Sequence, residues 1–189
     1  MPRLWRWLVP MTALIACALP RAGASAAPQP ELDLPSATVE ARVDRAAHVA
    51  NALAIASRDQ RARVRAAHEK EVDGVIKTAV AQLGDPYAWG ATGPDAFDCS
   101  GLTAYVFARA GVALPHNSQG QATMGKAVDR DDIRAGDLVF FSTAGSGASH
   151  VGIATSATTV ISATNSGVMK HSTEDAYWGA SYVGARRIL

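Results

Sequence analysis

The chain predicts an α+β fold, with helices packed on an antiparallel β-sheet behind an N-terminal helical arm. Three observations lead there. Residues 36–83 are almost free of Gly and Pro and carry apolar side chains at three-four spacing, the period of a helix. An apolar helix with a sharp start opens at Cys99 and closes at Gly111. Beyond it, short β-type runs follow one another with only Gly, Ser and Asn turns between them, a spacing that favours hairpins. Helices first and strands second in one small chain make a two-layer structure with a single core.

The first segment, 1–26, has Arg3 and Arg6, then an apolar stretch from Leu8 to Leu19, then small residues from Ala22 to Ala26. That order describes a secretory signal peptide, and its apolar run is too short for a membrane span. A competing reading is a lipid anchor at Cys17, because Leu14-Ile15-Ala16-Cys17 resembles a lipobox. Conventional cleavage leaves Cys99 as the sole cysteine, which excludes an internal disulfide and a cysteine-based zinc site. It also removes Arg3, Arg6 and Arg21, turning a formal net charge of +1 into −2. Near-neutrality argues against nucleic acid and against a polybasic membrane anchor. No H-E-x-x-H or clustered-histidine pattern is present, so no metal or other cofactor is expected.

Residues 27–69 are expected to form a Pro-rich linker and a helical arm. Val39, Val43, Ala46, Ala50, Leu53 and Val64 make a thin, alanine-rich stripe between 36 and 68, which reads as a solvated spacer, a pairing helix or a cover for a site. A second helix is expected over 71–83, with Val72, Val75, Ile76, Ala79, Val80 and Leu83 on one face and Gly84 as its stop;. The main domain is placed at 70–189. Its strands are expected at 137–141, 150–155, 159–163, 167–170 and 182–188, where β-branched and aromatic residues are dense;.

Chemistry concentrates at two points. Cys99 stands where a Gly/Pro-rich loop meets a helix, and unpaired N–H groups with the positive end of the helix dipole favour a thiolate there. His150 opens an apolar strand fifty-one residues on. A nucleophile with a base in reach supports acyl transfer through a thioester. Asp98 is placed to cap the helix that starts at Cys99. His48 and His68 are expected to be solvated, and His116 and His171 to lie at the surface.

Five ordered blocks carry a resemblance: Pro86-Tyr87-Ala88-Trp89-Gly90, Phe97-Asp98-Cys99-Ser100-Gly101-Leu102, Leu114-Pro115-His116-Asn117-Ser118-Gln119, Ala135-Gly136-Asp137-Leu138-Val139-Phe140-Phe141 and Ser149-His150-Val151-Gly152-Ile153. Together they resemble the NlpC family of bacterial cell-wall peptidases. The resemblance implies a papain-like fold and hydrolysis of peptidoglycan stem peptides as a D,L-endopeptidase, commonly at the D-γ-glutamyl bond to diaminopimelate or lysine. It implies Cys99 as nucleophile, His150 as base, and Tyr87, Asp98 and Ser100 on the substrate side of the cleft. The family's third catalytic position falls twelve residues after His150, at Ser162, where the family usually has His, Asn, Gln or Glu. Serine can accept the imidazole Nδ1–H bond that would turn Nε2 to the thiol, but it lacks reach and charge. Thr164, on the same strand face, and Asn165, in the next turn, are alternatives for that role. The sequence leaves two other functions open: a non-hydrolytic wall-binding module with a degenerate triad, or an amidase or acyltransferase using the same thiol.

Overall fold

A computed structural model describes residues 36–189. The signal segment, Cys17 and the proline-rich linker lie outside the described residues. The chain divides into two compact units at His48/Val49. Among the described residues of the first there are only helical turns, with side chains exposed from Ala37 to His48.

Helix α1 runs Ser36–Val80 without the break expected near residue 70. Nothing in that stretch stops a helix. It holds no proline, its many alanines have the best helical propensity, and the interior Gly74 costs about 1 kcal/mol, too little to end it;. Side chains remain exposed as far as Glu71, Val64 and Leu53 included. Only the last turns bury a face, through Val75 and Ala79. The apolar period therefore reports packing after residue 71, whereas before it the side chains of the stripe stay in solvent.

Helix α2, Cys99–Arg109, supplies most of the helical side of the core, with Leu102, Val106 and Phe107 fully buried. Short helices α3, Ser118–Gln121, and α4, Ala176–Ala180, were not legible in the sequence. Six antiparallel strands follow: β1 Lys126–Val128, β2 Leu138–Phe141, β3 His150–Ala154, β4 Thr159–Thr164, β5 Gly167–Ser172 and β6 Tyr182–Arg187. Their order across the sheet is β1-β6-β2-β3-β4-β5. Strand β1 is the one the sequence reading missed.

Alternation along the strands separates two faces. Leu138, Phe140, Val151, Ile153, Ile161 and Ala163 meet α2 and the end of α1 in the larger core. Val139, Phe141, Ala154, Val160 and Ala185 form a second cluster under Trp178 and Tyr182. Registers Phe141↔His150, Ser162↔Met169 and Val160↔His171 place both histidines and Ser162 on the Trp178 side;.

Two polar clamps hold the frame. Asp137, almost fully buried, accepts from Arg187 Nε and Nη2, both at 2.8 Å, and from the Arg134 amide. Such a bidentate, charge-assisted pair is among the stronger protein hydrogen bonds. At the open edge of β5, Val168 exchanges backbone bonds with Gly84 and Asp85 at 2.9 Å each.

Candidate active site

The loop 85–98 delivers Cys99 to its place. Tyr87 and Thr92 bridge to Phe97 through the backbone, and Phe97 anchors the loop edge-on against Tyr105 at 5.0 Å. Asp98 caps α2: its Oδ1 accepts from the Gly101 amide at 2.6 Å and from Ser100 Oγ at 3.1 Å. Its Oδ2 accepts from the Gly90 amide at 3.0 Å and from His116 Nε2 at 2.7 Å. Both oxygens thus take two donors, the full complement of a carboxylate. A Cβ on Gly101 would run into the Ala91 carbonyl, so glycine follows Cys99-Ser100 because the loop crosses the helix there.

Gln121 braces the same helix from below. Fully buried, it donates from Nε2 to the carbonyls of Ser100 and Pro115 at 3.0 and 2.7 Å and accepts from Thr103 Oγ1 at 2.7 Å.

His150 is set by the β2–β3 turn. Ser149 Oγ accepts from the Ala144 amide, closing the turn so that β3 begins at the histidine, opposite Phe141. Cys99, half-buried, and His150 line one lobe of a cleft of about 360 Å³ with Tyr87, Trp89, Tyr177 and Trp178. A second lobe of about 260 Å³ is walled by Asp98, Ser100, His116 and Asn117. Tyr87, Trp89, Cys99 and Ser149 border both, so the sulfur sits at their junction.

The electrostatics reverse one expectation. Burial pushes the Cys99 thiol above its ordinary value; the amides of Val151, Ser100 and Cys99 pull it down, Asp98 pushes it up again, and the upward effects win. A helix N-terminus alone would have favoured the thiolate, but desolvation penalises its charge more. Burial also lowers His150 to about 4, with His171 adding to the shift. At neutral pH the two groups are therefore a thiol and a neutral imidazole.

The histidines and Ser162 are arranged differently from the sequence reading. Ser162 is fully buried, and its Oγ lies 2.8 Å from Nε2 of His171, with no hydrogen bond to His150. Thr164 and Asn165 both line the cleft, but Thr164 Oγ1 is occupied by the β4–β5 turn, donating to the Gly167 carbonyl and accepting from the Ser166 amide. On His150 it is Nε2 that is enclosed without a partner among the described residues, not Nδ1. His171 is buried within β5, not at the surface as expected, whereas His116 is exposed as expected and holds Asp98 from that position. His48 and His68 are exposed as expected. Among the described residues no cluster suited to a metal ion is found.

Fold and site together define a papain-like α+β domain with a thiol at a helix start and an imidazole across a shared cleft. Residues 84–187 match the profile of the NlpC/P60 family, and the chain belongs to that family. A probable endopeptidase of Corynebacterium glutamicum is 49% identical over 92 residues, covering 49% of this chain and 43% of that protein. The probable endopeptidase p60 of Listeria monocytogenes is 42% identical over 114 residues, 60% of this chain and 23% of that one. The chain spans less than half the length of these relatives. Among solved structures, an NlpC/P60 family protein of Bacillus cereus superposes with a TM-score of 0.59 at 33% identity, covering 62% of this chain and 40% of that one. The peptidoglycan hydrolase RipB of Mycobacterium tuberculosis gives 0.57 at 31% identity, covering 66% and 68%.

Proposed function

We propose that the protein is an exported cysteine endopeptidase that cuts peptide bonds in peptidoglycan stem peptides, at the D-γ-glutamyl–diaminopimelate bond. The observation that carries this reading is the position of Cys99: half-exposed at the junction of two lobes, with His150 lining the same cleft. The names of the relatives point to the same substrate class. The export signal is assigned to 1–26, the arm to 27–69 and the peptidase domain to 70–189. Among the described residues no helix is long and apolar enough to cross a membrane.

The chemistry starts from a neutral pair. As Cys99 Sγ bonds to the scissile carbonyl carbon, its proton passes to His150, which serves as base when neutral. The tetrahedral oxyanion forms beside the amides at the start of α2, which are fixed donors in a site partly closed to water. Collapse breaks the C–N bond, and His150 returns the proton to the departing amine. Water then hydrolyses the thioester, with His150 again taking and returning a proton. Tyr87, Asp98 and Ser100 hold the substrate side, with Asp98 maintaining the shape of the second lobe through its four hydrogen bonds.

Mass spectrometry of muropeptides digested by the wild type and by Cys99→Ala tests the proposal. New fragments ending in D-glutamate are expected with the wild type only. Equal digests would refute thiol-dependent hydrolysis, and cleavage at another linkage would refute the assigned bond.

A further inference from the structure

A base that becomes an imidazolium during the reaction needs something to orient it and to stabilise its charge. Among the described residues no hydrogen-bonding group meets the buried Nε2 of His150. What lies against the ring instead is aromatic. The Trp178 ring centroid is 5.1 Å from that of His150 at an interplanar angle of 39°, with Phe141 on another side at 6.2 Å.

Trp178 is itself held from several directions. His171 stacks on it at 3.7 Å and 18°, and the far nitrogen of that imidazole is bonded by Ser162 Oγ. Phe141 and Tyr177 meet its edges at 5.0 and 5.1 Å. Its amide donates to Asp175 Oδ1 at 2.7 Å. Ser162, His171, Trp178 and His150 thus form one continuous chain of contacts, with Phe141 touching both imidazoles beside the indole, at 6.2 Å from His150 and 5.6 Å from His171.

We propose that Trp178 is the positioning residue for His150, with the indole taking the place of a hydrogen-bonding third residue. Its face orients the imidazole and stabilises the imidazolium by a cation–π contact, and the Ser162–His171 pair braces it from behind. The centroid separation is inside the roughly 6 Å range of such contacts, and tryptophan has the strongest π-face of the natural side chains. The groups around the pair are consistent with that role. Cys99 is neutral at rest, and His171, lowered to about 4 mainly by burial, places no opposing positive charge behind the indole at neutral pH. Asp175, at the cap of α4, is the nearby anion.

This proposal rests on the Cys99/His150 peptidase reading, and its test separates the two. Steady-state kinetics on a defined stem peptide are compared for wild type, Trp178→Leu and Trp178→Phe, while His150 is titrated by NMR in isotopically labelled protein. Trp178→Leu is expected to lower kcat about tenfold with KM within about twofold, and Trp178→Phe to recover to within about threefold of wild type. Fluorinated tryptophans placed at residue 178 by codon suppression weaken the π-face while keeping its shape. They are expected to lower kcat and the His150 midpoint in step with fluorination, and they decide the matter if the leucine variant does not fold. A change confined to KM, equal losses in the leucine and phenylalanine variants, or no response to fluorination would overturn the proposal. Absence of Cys99-dependent hydrolysis in the wild type would instead refute the peptidase reading, with the His150 midpoint across the fluorinated series still deciding whether Trp178 stabilises the imidazolium.

Discussion

Stability should fall as pH drops from about 6.5 to about 4, because His150 is buried neutral. In the unfolded chain the imidazole takes a proton near 6.5, whereas in the folded protein it does so only at about 4. Between those values the unfolded state binds more protons, so the stabilising contribution is fully present above the upper limit and lost as pH falls through the lower one. A lowering of that size corresponds to about 3 kcal/mol at 1.36 kcal/mol per pH unit, a large share of the roughly 5–15 kcal/mol that holds a typical domain folded. His171 is lowered to about 4 as well and acts in the same direction. Urea unfolding followed by far-UV circular dichroism, repeated across this window for wild type and His150→Gln, measures the effect. The wild type should lose stability steeply and the variant less so. A flat wild-type profile, or parallel slopes in the two proteins, would show that His150 titrates normally and that the burial argument is wrong.

The thiol makes a second prediction: alkylation of Cys99 by iodoacetamide should still be accelerating above about pH 8.5, the ordinary thiol value, and Asp98→Asn should move the midpoint down by removing a charge that opposes the thiolate. A wild-type midpoint below that value would contradict the raised thiol. Asp137→Asn should cost about 2–3 kcal/mol in chemical denaturation, because Arg187 loses a bidentate, charge-assisted partner;. Little change would mean that solvent already satisfies the guanidinium. Gly101→Ala should cost about 1–3 kcal/mol, since the added methyl meets the Ala91 backbone, which has little room to yield;. Thermal unfolding reads this, and an unchanged Tm would show that loop 85–98 shifts freely.

Much of this site could be read from local pattern alone. The Cys99 helix announced itself by the glycine- and proline-rich loop before it and the apolar period after it, and the strands at 138–141 and 150–154 by their β-branched and aromatic density. What could not be read depends on register across the sheet. His171 meets Ser162 nine residues earlier only because β4 and β5 pair as they do, and Trp178 reaches both imidazoles from a five-residue helix with no periodic signal. His116 likewise finds Asp98 at a separation of eighteen positions, across a helix and a loop. The thiol's raised pKa was missed for a different reason: the dipole is a property of the local helix, whereas desolvation belongs to the assembled cleft. The unbroken α1 shows the converse. Its continuity is local and was present in the residues, but the change from a thin alanine stripe to a denser apolar face after residue 70 suggested a second helix where the backbone has no break.

The backbone bonds that Val168 exchanges with Gly84 and Asp85 occupy part of the free border of β5. An outer strand with free amides and carbonyls is a template for a neighbour's strand, and natural sheets shield such borders. Here the shield is the start of the segment that carries Tyr87 and ends at Cys99. A lesion in those few residues would therefore loosen the loop that places Cys99 and uncover a self-association surface together, so that a disordered cleft and precipitation would arise from one change.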